Sequence, residues 1–251
     1  MREWTAALLA MLACLGTAFA AETPECAVGA PLAYADYPLP RVAAGLDQAR
    51  RLDVVVVGAG SSTLAGPGGA NLAYPARLET ILNKRWPGAA TKVVTDVKFQ
   101  RTAAEMAEAF EKILMETKPA LVVWQSGTVD AIKGVDPEEF RATLDEGVEA
   151  LQAGGADVVL MNMQYSPRTE SMIAINTYAD NMRLVSQQRE VPLLDRFAIM
   201  KHWSELGTFD LTTPTKRLET AARIHQCIAE LLADVIRDGV KLSRAQAKPY
   251  N

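Results

Sequence analysis

Two adjacent serines, Ser61 and Ser62, lie in a glycine-rich loop that directly follows four valines, in the stretch 54-VVVVGAGSSTLAGPGGA-70. The valines predict a buried strand, and the glycines predict a turn after it. A serine in such a turn becomes a nucleophile only if a base removes its proton. The backbone N–H groups of a glycine-rich turn can instead hold a phosphate group. Hydrogen bonding within the loop, or capping of a helix, is the structural alternative for both serines.

The spacing of the glycines argues against a nucleotide site. A dinucleotide-binding turn needs three glycines at fixed spacing and an acidic residue about twenty positions later. Gly58 and Gly60 fit the first two positions, but Thr63 occupies the third, and Glu79 falls within a predicted helix. A Gly-Lys-Ser/Thr phosphate loop is missing, and no group of His, Cys, Asp and Glu has metal-ligand spacing. We therefore predict neither a cofactor nor a metal ion.

Few residues could serve as the base for a serine, since the chain contains only two histidines. We interpret His202, in Lys-His-Trp, as structural, and His225, in the last predicted helix, as a packed or surface side chain. Glu219 could form a Ser–Glu dyad, but a carboxylate is a much weaker base than an imidazole.

Apolar runs alternate with helical periodicities along the chain. The runs predict buried strands at residues 52–58, 91–97, 119–127, 157–163 and 191–195. This alternation predicts a mostly parallel sheet with helices on both faces. Ligands bind such sheets at the carboxyl ends of the strands. We therefore expect a site in the loops after Gly58, Val97, Gln125 and Met163.

The helix signals predict one α/β domain with short terminal extensions. Thr102 and Glu105 have capping-box spacing, Asp136 begins another helix, and the last helix is expected to close at Gly239. We assign residues 1–20 to a signal peptide, 21–50 to an N-terminal arm, 51–239 to the α/β domain and 240–251 to a C-terminal tail.

Charge and the N-terminal pattern limit the partners of the protein. A net charge of −4 over 251 residues argues against nucleic acid or an anionic membrane as the main partner. One arginine precedes an apolar run that ends in Ala18-Phe19-Ala20, a pattern typical of secretory cleavage sites, so we expect a periplasmic or secreted protein. No later segment is long and apolar enough to span a membrane. The sequence identifies no protein partner.

Three cysteines are present, and Cys14 lies in the expected signal peptide. In an oxidising compartment, Cys26 and Cys227 predict one disulfide that joins the N-terminal arm to the last helix. Two separate thiols, with Cys227 buried on its helix, are the alternative.

Several segments together resemble the SGNH/GDSL hydrolases, in particular an exported bacterial branch. Besides the serine loop, these segments are 74-YPARLE-79, 124-WQSGT-128, 154-GGADVVLMNMQYSP-167, 197-FAIMKHW-203 and 227-CIA-229. The resemblance implies a flavodoxin-like, three-layer α/β/α sandwich with a five-stranded parallel sheet of order 2-1-3-4-5. It also implies ester hydrolysis by a serine, with a histidine base held by an aspartate three residues before it. A glycine and an asparagine would stabilise the oxyanion beside the N–H of the serine.

The oxyanion positions depart from the pattern of this family. Val129 stands where the family has asparagine, and its side chain has no donor. The neighbouring Asp130 is an acceptor. The glycine position falls on Gln100 or Phe99, and a glutamine amide could still donate a hydrogen bond.

The acid and base positions depart further. In one register the family's aspartate and histidine fall on Lys216 and Glu219, and in another they fall on Asp210 and Thr213. Neither register supplies a histidine.

The identity of the nucleophile depends on how the serine loop is aligned. Alignment on the end of the strand places Gly60 at the nucleophile position, and alignment on the end of the loop places Ser62 at that position. A match to Ser-Ser-Thr gives Ser61 instead.

A second segment, 164-QYSPR-168, follows the fourth strand at the sheet edge where a ligand is expected. Tyr165 and Arg168 could hold a small polar ligand or an acyl chain, or Tyr165 could simply pack the loop. We interpret Trp124 and Trp203 as core residues rather than as a platform for a sugar.

Two hypotheses follow from these patterns. The first is an exported SGNH-hydrolase-like protein, catalytically impaired or inactive, that binds a small ester, acyl or glycan ligand in the former active-site cleft. The second is an active serine esterase or acyl hydrolase that uses Ser62 or Ser61 with a non-standard base.

Overall fold

Five strands and the helices between them make up most of the chain. The computed structural model of the protein describes residues 24–29, 32, 35–172, 175–212 and 217–247, so the expected signal peptide and Cys14 lie outside the described residues. The strands are β1 (Arg51–Gly58), β2 (Ala90–Val97), β3 (Leu121–Gln125), β4 (Asp157–Met161) and β5 (Leu193–Leu194). The α-helices are α1 (Pro40–Ala44), α2 (Gly69–Leu72), α3 (Tyr74–Arg85), α4 (Ala103–Ala107), α5 (Phe110–Thr117), α6 (Thr128–Lys133), α7 (Pro137–Ala153), α8 (Pro167–Met172), α9 (Ile175–Gln188), α10 (Arg196–Glu205) and α11 (Arg217–Gln246). Short 3-10 helices span Pro24–Cys26 and Gly60–Ser62, and Gly45–Ala49 is π-helical.

The strands form one parallel sheet of order β2-β1-β3-β4-β5, which confirms the predicted topology. The valines of β1 and every residue of β3 and β4 are buried, as expected for strands covered on both faces. Helix α11 packs on α3 and α1, whereas α7 packs on α4, α5 and α9. The fold is therefore the three-layer α/β/α sandwich expected from the sequence.

The predicted helix starts follow their local signals. Thr102 and Glu105 form the capping box that begins α4, and the Asp136 carboxylate accepts hydrogen bonds from two N–H groups in the first turn of α7. The chain from Ala103 to Thr117 forms two helices, α4 and α5, rather than one.

The last helix was expected to close at Gly239, and this boundary is wrong because α11 continues to Gln246. A Cβ atom on Gly239 would lie 2.7 Å from the Cγ atom of Leu39. The glycine therefore serves close packing rather than helix termination. The segment 240–246 belongs to the domain, not to a separate tail.

The second half of the N-terminal arm is also part of the core, not a surface extension. Leu39, Val42 and Leu46 are buried. The backbone N–H of Val42 donates a 2.9 Å hydrogen bond to the carboxylate of Asp157, at the start of β4.

A disulfide between Cys26 and Cys227 attaches the first described residues to α11, with a Cα–Cα distance of 4.9 Å. This confirms the predicted pairing. Within the part of the chain that the structure describes, no helix has a stretch long and apolar enough to cross a membrane.

Removing the disulfide should destabilise the fold. The bond joins residues 201 positions apart, and loss of a native disulfide costs about 2–5 kcal/mol of unfolding free energy. Urea denaturation of a Cys26→Ser/Cys227→Ser variant should show a loss of that size. A reducing agent should lower the midpoint of the wild type and leave that of the variant unchanged. Equal midpoints for the oxidised wild type and the variant would contradict this expectation.

Candidate functional site

The serine loop lies at the carboxyl end of β1, where Gly60–Ser62 forms a 3-10 turn. Ser62 is 1% exposed, and its side chain folds back over the end of the strand. A Cβ atom on Gly58 would lie 2.2 Å from the Ser62 Oγ atom, so only glycine leaves room for it. The Ser62 N–H donates a 2.9 Å hydrogen bond to the Ala59 carbonyl oxygen. This N–H, which the SGNH/GDSL hydrolases would use to stabilise the oxyanion, is therefore already hydrogen-bonded within the turn.

The hydroxyl groups of the loop bind an amide rather than a base. Ser62 Oγ lies 2.7 Å from Gln125 Oε1 at the end of β3, and Ser61 Oγ lies 3.0 Å from the same oxygen. Because an amide oxygen only accepts, both serines donate their protons to it. The Tyr74 hydroxyl lies 3.0 Å from Ser62 Oγ and donates to it in turn. Burial raises the pKa of Tyr74 to about 12, so this donor stays protonated.

His225 lies behind Tyr74 as a packed side chain. Its Nδ1 atom accepts a 3.0 Å hydrogen bond from the Tyr74 N–H, and the two rings stack with centroids 5.7 Å apart. Burial, and then the charges of Arg196 and Arg77, lower the pKa of His225 to about 3. The imidazole therefore has little affinity for a proton. No hydrogen bond joins it to Ser62 among the contacts of the described residues.

Neither Gln100 nor Val129, the oxyanion positions predicted from the sequence, is a hydrogen-bond partner of the Ser62 hydroxyl. Gln100 is exposed and has a φ of 57°, in the left-handed region that favours glycine. Val129 is partly buried against the core. The Asp130 carboxylate is buried, which raises its pKa, and it accepts hydrogen bonds from the N–H groups of Ala103 and Gly127. Asp130 therefore acts as a structural cap for two neighbouring segments.

Two of the alternative acid and base positions, Glu219 and Asp210, form no hydrogen bond with either serine hydroxyl. Glu219 is exposed in the first turn of α11, and it is not among the partners of either serine hydroxyl. The Asp210 carboxylate accepts hydrogen bonds from the backbone and the hydroxyl group of Thr212. Lys216 and Thr213 fall outside the described residues.

A buried arginine, which the sequence analysis did not single out, completes the site. Arg196 begins α10 and is 1% exposed. Its Nη1 atom donates a 2.9 Å hydrogen bond to the Ser61 carbonyl oxygen, and its guanidinium lies 5.9 Å from the centroid of the Tyr74 ring. Burial lowers the pKa of Arg196 to about 10, so it remains charged at neutral pH.

Two cavities flank the serine loop. A cavity of about 280 Å³ is lined by Gly60, Ser61, Thr63, Leu64, Ala65, Gln164, Arg196, Met200, Ala221, Ile224 and His225. On the other side, a cavity of about 350 Å³ is lined by Ser62, Thr63, Ala70, Asn71, Ala73, Pro75, Ala76, Val93, Thr95, Val97 and Phe99. Phe99 is 75% exposed, yet its ring lies so close to Gly60 that a Cβ atom there would be 2.7 Å from it. The ring therefore covers the backbone of the serine loop.

The segment 164–168, which was predicted as a second place for a ligand, borders a third cavity of about 580 Å³. This cavity is lined in part by Tyr165 and Arg168. Tyr165 is buried and packs edge-on against Phe197, with centroids 5.4 Å apart, while Arg168 is exposed. Trp124 and Trp203 are buried in the core. His202 is half-buried in α10.

Two signals in the sequence could have identified Gln125 and Arg196 as site residues. Gln125 ends a strand whose other residues are all apolar and buried, and a buried polar side chain needs a hydrogen-bond partner. Arg196 opens a helix, where a positive charge opposes the helix dipole. No feature of the sequence identifies Tyr74 as the partner of Ser62.

Comparisons with known proteins agree with this fold. A model of the Non-GDSL lipase-like family matches residues 25–242. No curated protein matches the chain.

Solved structures with a similar fold include several hydrolases. TesA has a TM-score of 0.57 at 23% identity, covering 72% of this chain and 97% of TesA. A catalytic mutant of Axe2, an acetylxylan esterase from Geobacillus stearothermophilus, has a TM-score of 0.61 at 17% identity, covering 74% and 94% of the two chains. A protein assigned to the G-D-S-L lipolytic family, from Desulfitobacterium hafniense DCB-2, has a TM-score of 0.54 at 17% identity, covering 71% and 98%. These likenesses confirm the SGNH/GDSL hydrolase-like fold expected from the sequence.

The low proton affinity of His225 should make stability depend on pH. Below pH 6.5 the unfolded chain binds a proton at this residue, whereas the folded protein does so only near pH 3. The contribution of His225 to the unfolding free energy should therefore fall by about 1.4 kcal/mol for each pH unit lost in this interval. Burial raises the pKa of Asp157 to about 6, so the contribution of Asp157 to the unfolding free energy rises as the pH falls below 6.

A His225→Asn variant isolates the contribution of the histidine, since asparagine can still accept from the Tyr74 N–H. Denaturant unfolding between pH 6.5 and 4.5 should show that the wild type loses stability relative to this variant as the pH falls. Parallel pH dependences of the two proteins would contradict the assignment of a neutral, buried imidazole.

Proposed function

Because the chain belongs to the Non-GDSL lipase-like family yet commits its loop serines to a neutral amide, we propose that it is an exported SGNH-hydrolase-like binding protein that is catalytically impaired or inactive. The observation that carries this proposal is the 2.7 Å hydrogen bond from Ser62 to Gln125 Oε1. An amide oxygen does not take up a proton at neutral pH, so the serine is not activated.

The sizes of the missing contributions to rate support the loss of catalysis. A positioned general base contributes about 10²–10⁴-fold to rate, and each oxyanion donor contributes about 3–4 kcal/mol of transition-state stabilisation. Val129 supplies no side-chain donor, and the N–H of Ser62 is bonded to Ala59. Ser62 is also too buried for an acyl carbonyl to reach its oxygen without movement of the loop.

Binding is the activity that the remaining geometry favours. The cavities of about 280 and 350 Å³ lie on either side of the serine loop, at the carboxyl edge of the sheet where ligands of this fold class bind. Acetylxylan is the substrate named for Axe2. Small ester, acyl and glycan compounds are therefore the first ligands to test.

The Cys26–Cys227 disulfide supports export, since such bonds persist in oxidising compartments. The cleavage pattern at residues 18–20 agrees with it at the level of sequence. The two features together support periplasmic or secreted localisation.

An active esterase is the second candidate, and one observation favours it. Ser61 and His225 line the same cavity, so release of the Ser61 hydroxyl from Gln125 would free a serine in a space that also contains an imidazole. The lowered pKa of His225 opposes this route, because it weakens the base.

A hydrolysis assay separates the two candidates. The protein starting at Ala21 should release p-nitrophenol from p-nitrophenyl acetate and butyrate no faster than a Ser61→Ala/Ser62→Ala variant does. Far-UV circular dichroism of both proteins controls for folding. Saturable turnover by the wild type that disappears in the double variant would overturn the binding proposal and establish the esterase.

A further inference from the structure

The guanidinium of Arg196 has no carboxylate partner among the described residues. Nη1 donates to the Ser61 carbonyl oxygen at 2.9 Å, Nη2 reaches Gln164 Oε1 only at 3.5 Å, and Nε is buried without a hydrogen bond. Its surroundings therefore leave a whole positive charge and part of its hydrogen-bonding capacity unmatched.

Several other partly or largely buried arginines of the same protein are paired with carboxylates. Arg101 contacts Asp96 at 2.7 Å, Arg183 contacts Asp195 at 2.6 Å, and Arg189 contacts Glu149 at 2.9 Å. Burying an ion without a counter-charge is energetically unfavourable. Arg196 is more buried than Arg183 and Arg189, so its lack of an acidic partner needs a specific explanation.

The cavity beside Arg196 can accommodate that missing counter-charge. It has a volume of about 280 Å³, and its polar lining consists of hydroxyl, amide and neutral imidazole groups. Its other walls are apolar, formed by Leu64, Ala65, Met200, Ala221 and Ile224. The last three residues, with Gln164, also line the adjoining cavity of about 580 Å³.

The charge balance favours a singly charged ligand. One guanidinium neutralises one carboxylate, in hydrogen bonds that are stronger than those between neutral groups. A phosphate dianion would leave its second charge against apolar walls, which is costly. Among the described residues that line the adjoining cavity, Asp210 and Arg168 are the charged ones, and their charges have opposite signs and cancel.

We propose that Arg196 anchors a binding site for a carboxylate attached to a short apolar chain. The carboxylate would approach Nη2 and the neighbouring Ser61 and Gln164 side chains, and the chain would lie along Met200, Ala221 and Ile224 toward the adjoining cavity. This site rests on the proposed function, in which the cavity binds a ligand and does not turn it over.

Calorimetric titration with three probes tests the proposal directly. Hexanoate should bind the wild type at pH 7 at least tenfold more tightly than hexanamide, which has the same chain without the charge. Hexanoate should also bind more tightly than inorganic phosphate. Equal affinity for hexanoate and hexanamide, tighter binding of phosphate, or no hexanoate binding at millimolar concentration would each overturn the site. These comparisons need no variant.

Two arginine variants locate the anchor. Arg196→Met should reduce hexanoate affinity at least tenfold, whereas Arg51→Met, at an exposed arginine that begins β1 at the opposite end of the strand from the site, should leave it within twofold. Circular dichroism and thermal unfolding control for folding of both. Unchanged affinity in a folded Arg196→Met protein would overturn the assignment.

Turnover of p-nitrophenyl hexanoate distinguishes failure of this site from failure of the proposed function. Serine-dependent turnover together with Arg196-dependent hexanoate binding would contradict the proposed function alone. The absence of both turnover and hexanoate binding would contradict the anion site alone.

Discussion

The hydrogen bond between the Ser62 hydroxyl and the Gln125 amide oxygen, 2.7 Å long, is the interaction on which the site depends. The parallel pairing of β1 with β3 ends at Val57 and Trp124, so the next residues of the two strands emerge side by side. Gly58 lets the serine fold back over this edge, and Gln125 meets it there. The sheet that in a hydrolase would present a nucleophile here holds the hydroxyl group in a neutral, buried contact.

Electrostatics reinforce this arrangement. A serine hydrolase needs a base that becomes positively charged during the reaction. In this protein burial, and then the positive charges of Arg196 and Arg77, lower the pKa of the His225 imidazole to about 3. A cavity that carries a buried cation favours a bound anion over a developing imidazolium. Binding a carboxylate and activating a serine are therefore competing uses of the same space.

The fold could be predicted to a large extent because its signals are local. Continuous apolar runs mark buried strands, and the pair of Thr102 and Glu105 marks a helix start within a few residues. The end of α11 could not be predicted, because Gly239 is explained by its contact with Leu39, 200 positions earlier in the chain. A glycine in a sequence does not reveal whether it ends a helix or makes room for a neighbour.

The site was less predictable than the fold, because its contacts join segments that are far apart in the sequence. The sequence places Ser61, Ser62 and Gln125 at the correct edge of the sheet, but the partners of each hydroxyl depend on packing between distant segments. Tyr74 contacts both Ser62 and His225 only because α3 and α11 pack together. The burial of Arg196 likewise follows from tertiary packing.

The reactivity of the two serines toward a fluorophosphonate is the most direct measure of whether either is a nucleophile. Intact-mass spectrometry of the protein starting at Ala21, after prolonged exposure to the reagent, should show only unmodified protein, with an active serine esterase labelled in parallel. A stoichiometric adduct that maps to Ser61 or Ser62 would contradict the conclusion that these hydroxyl groups are held without a base.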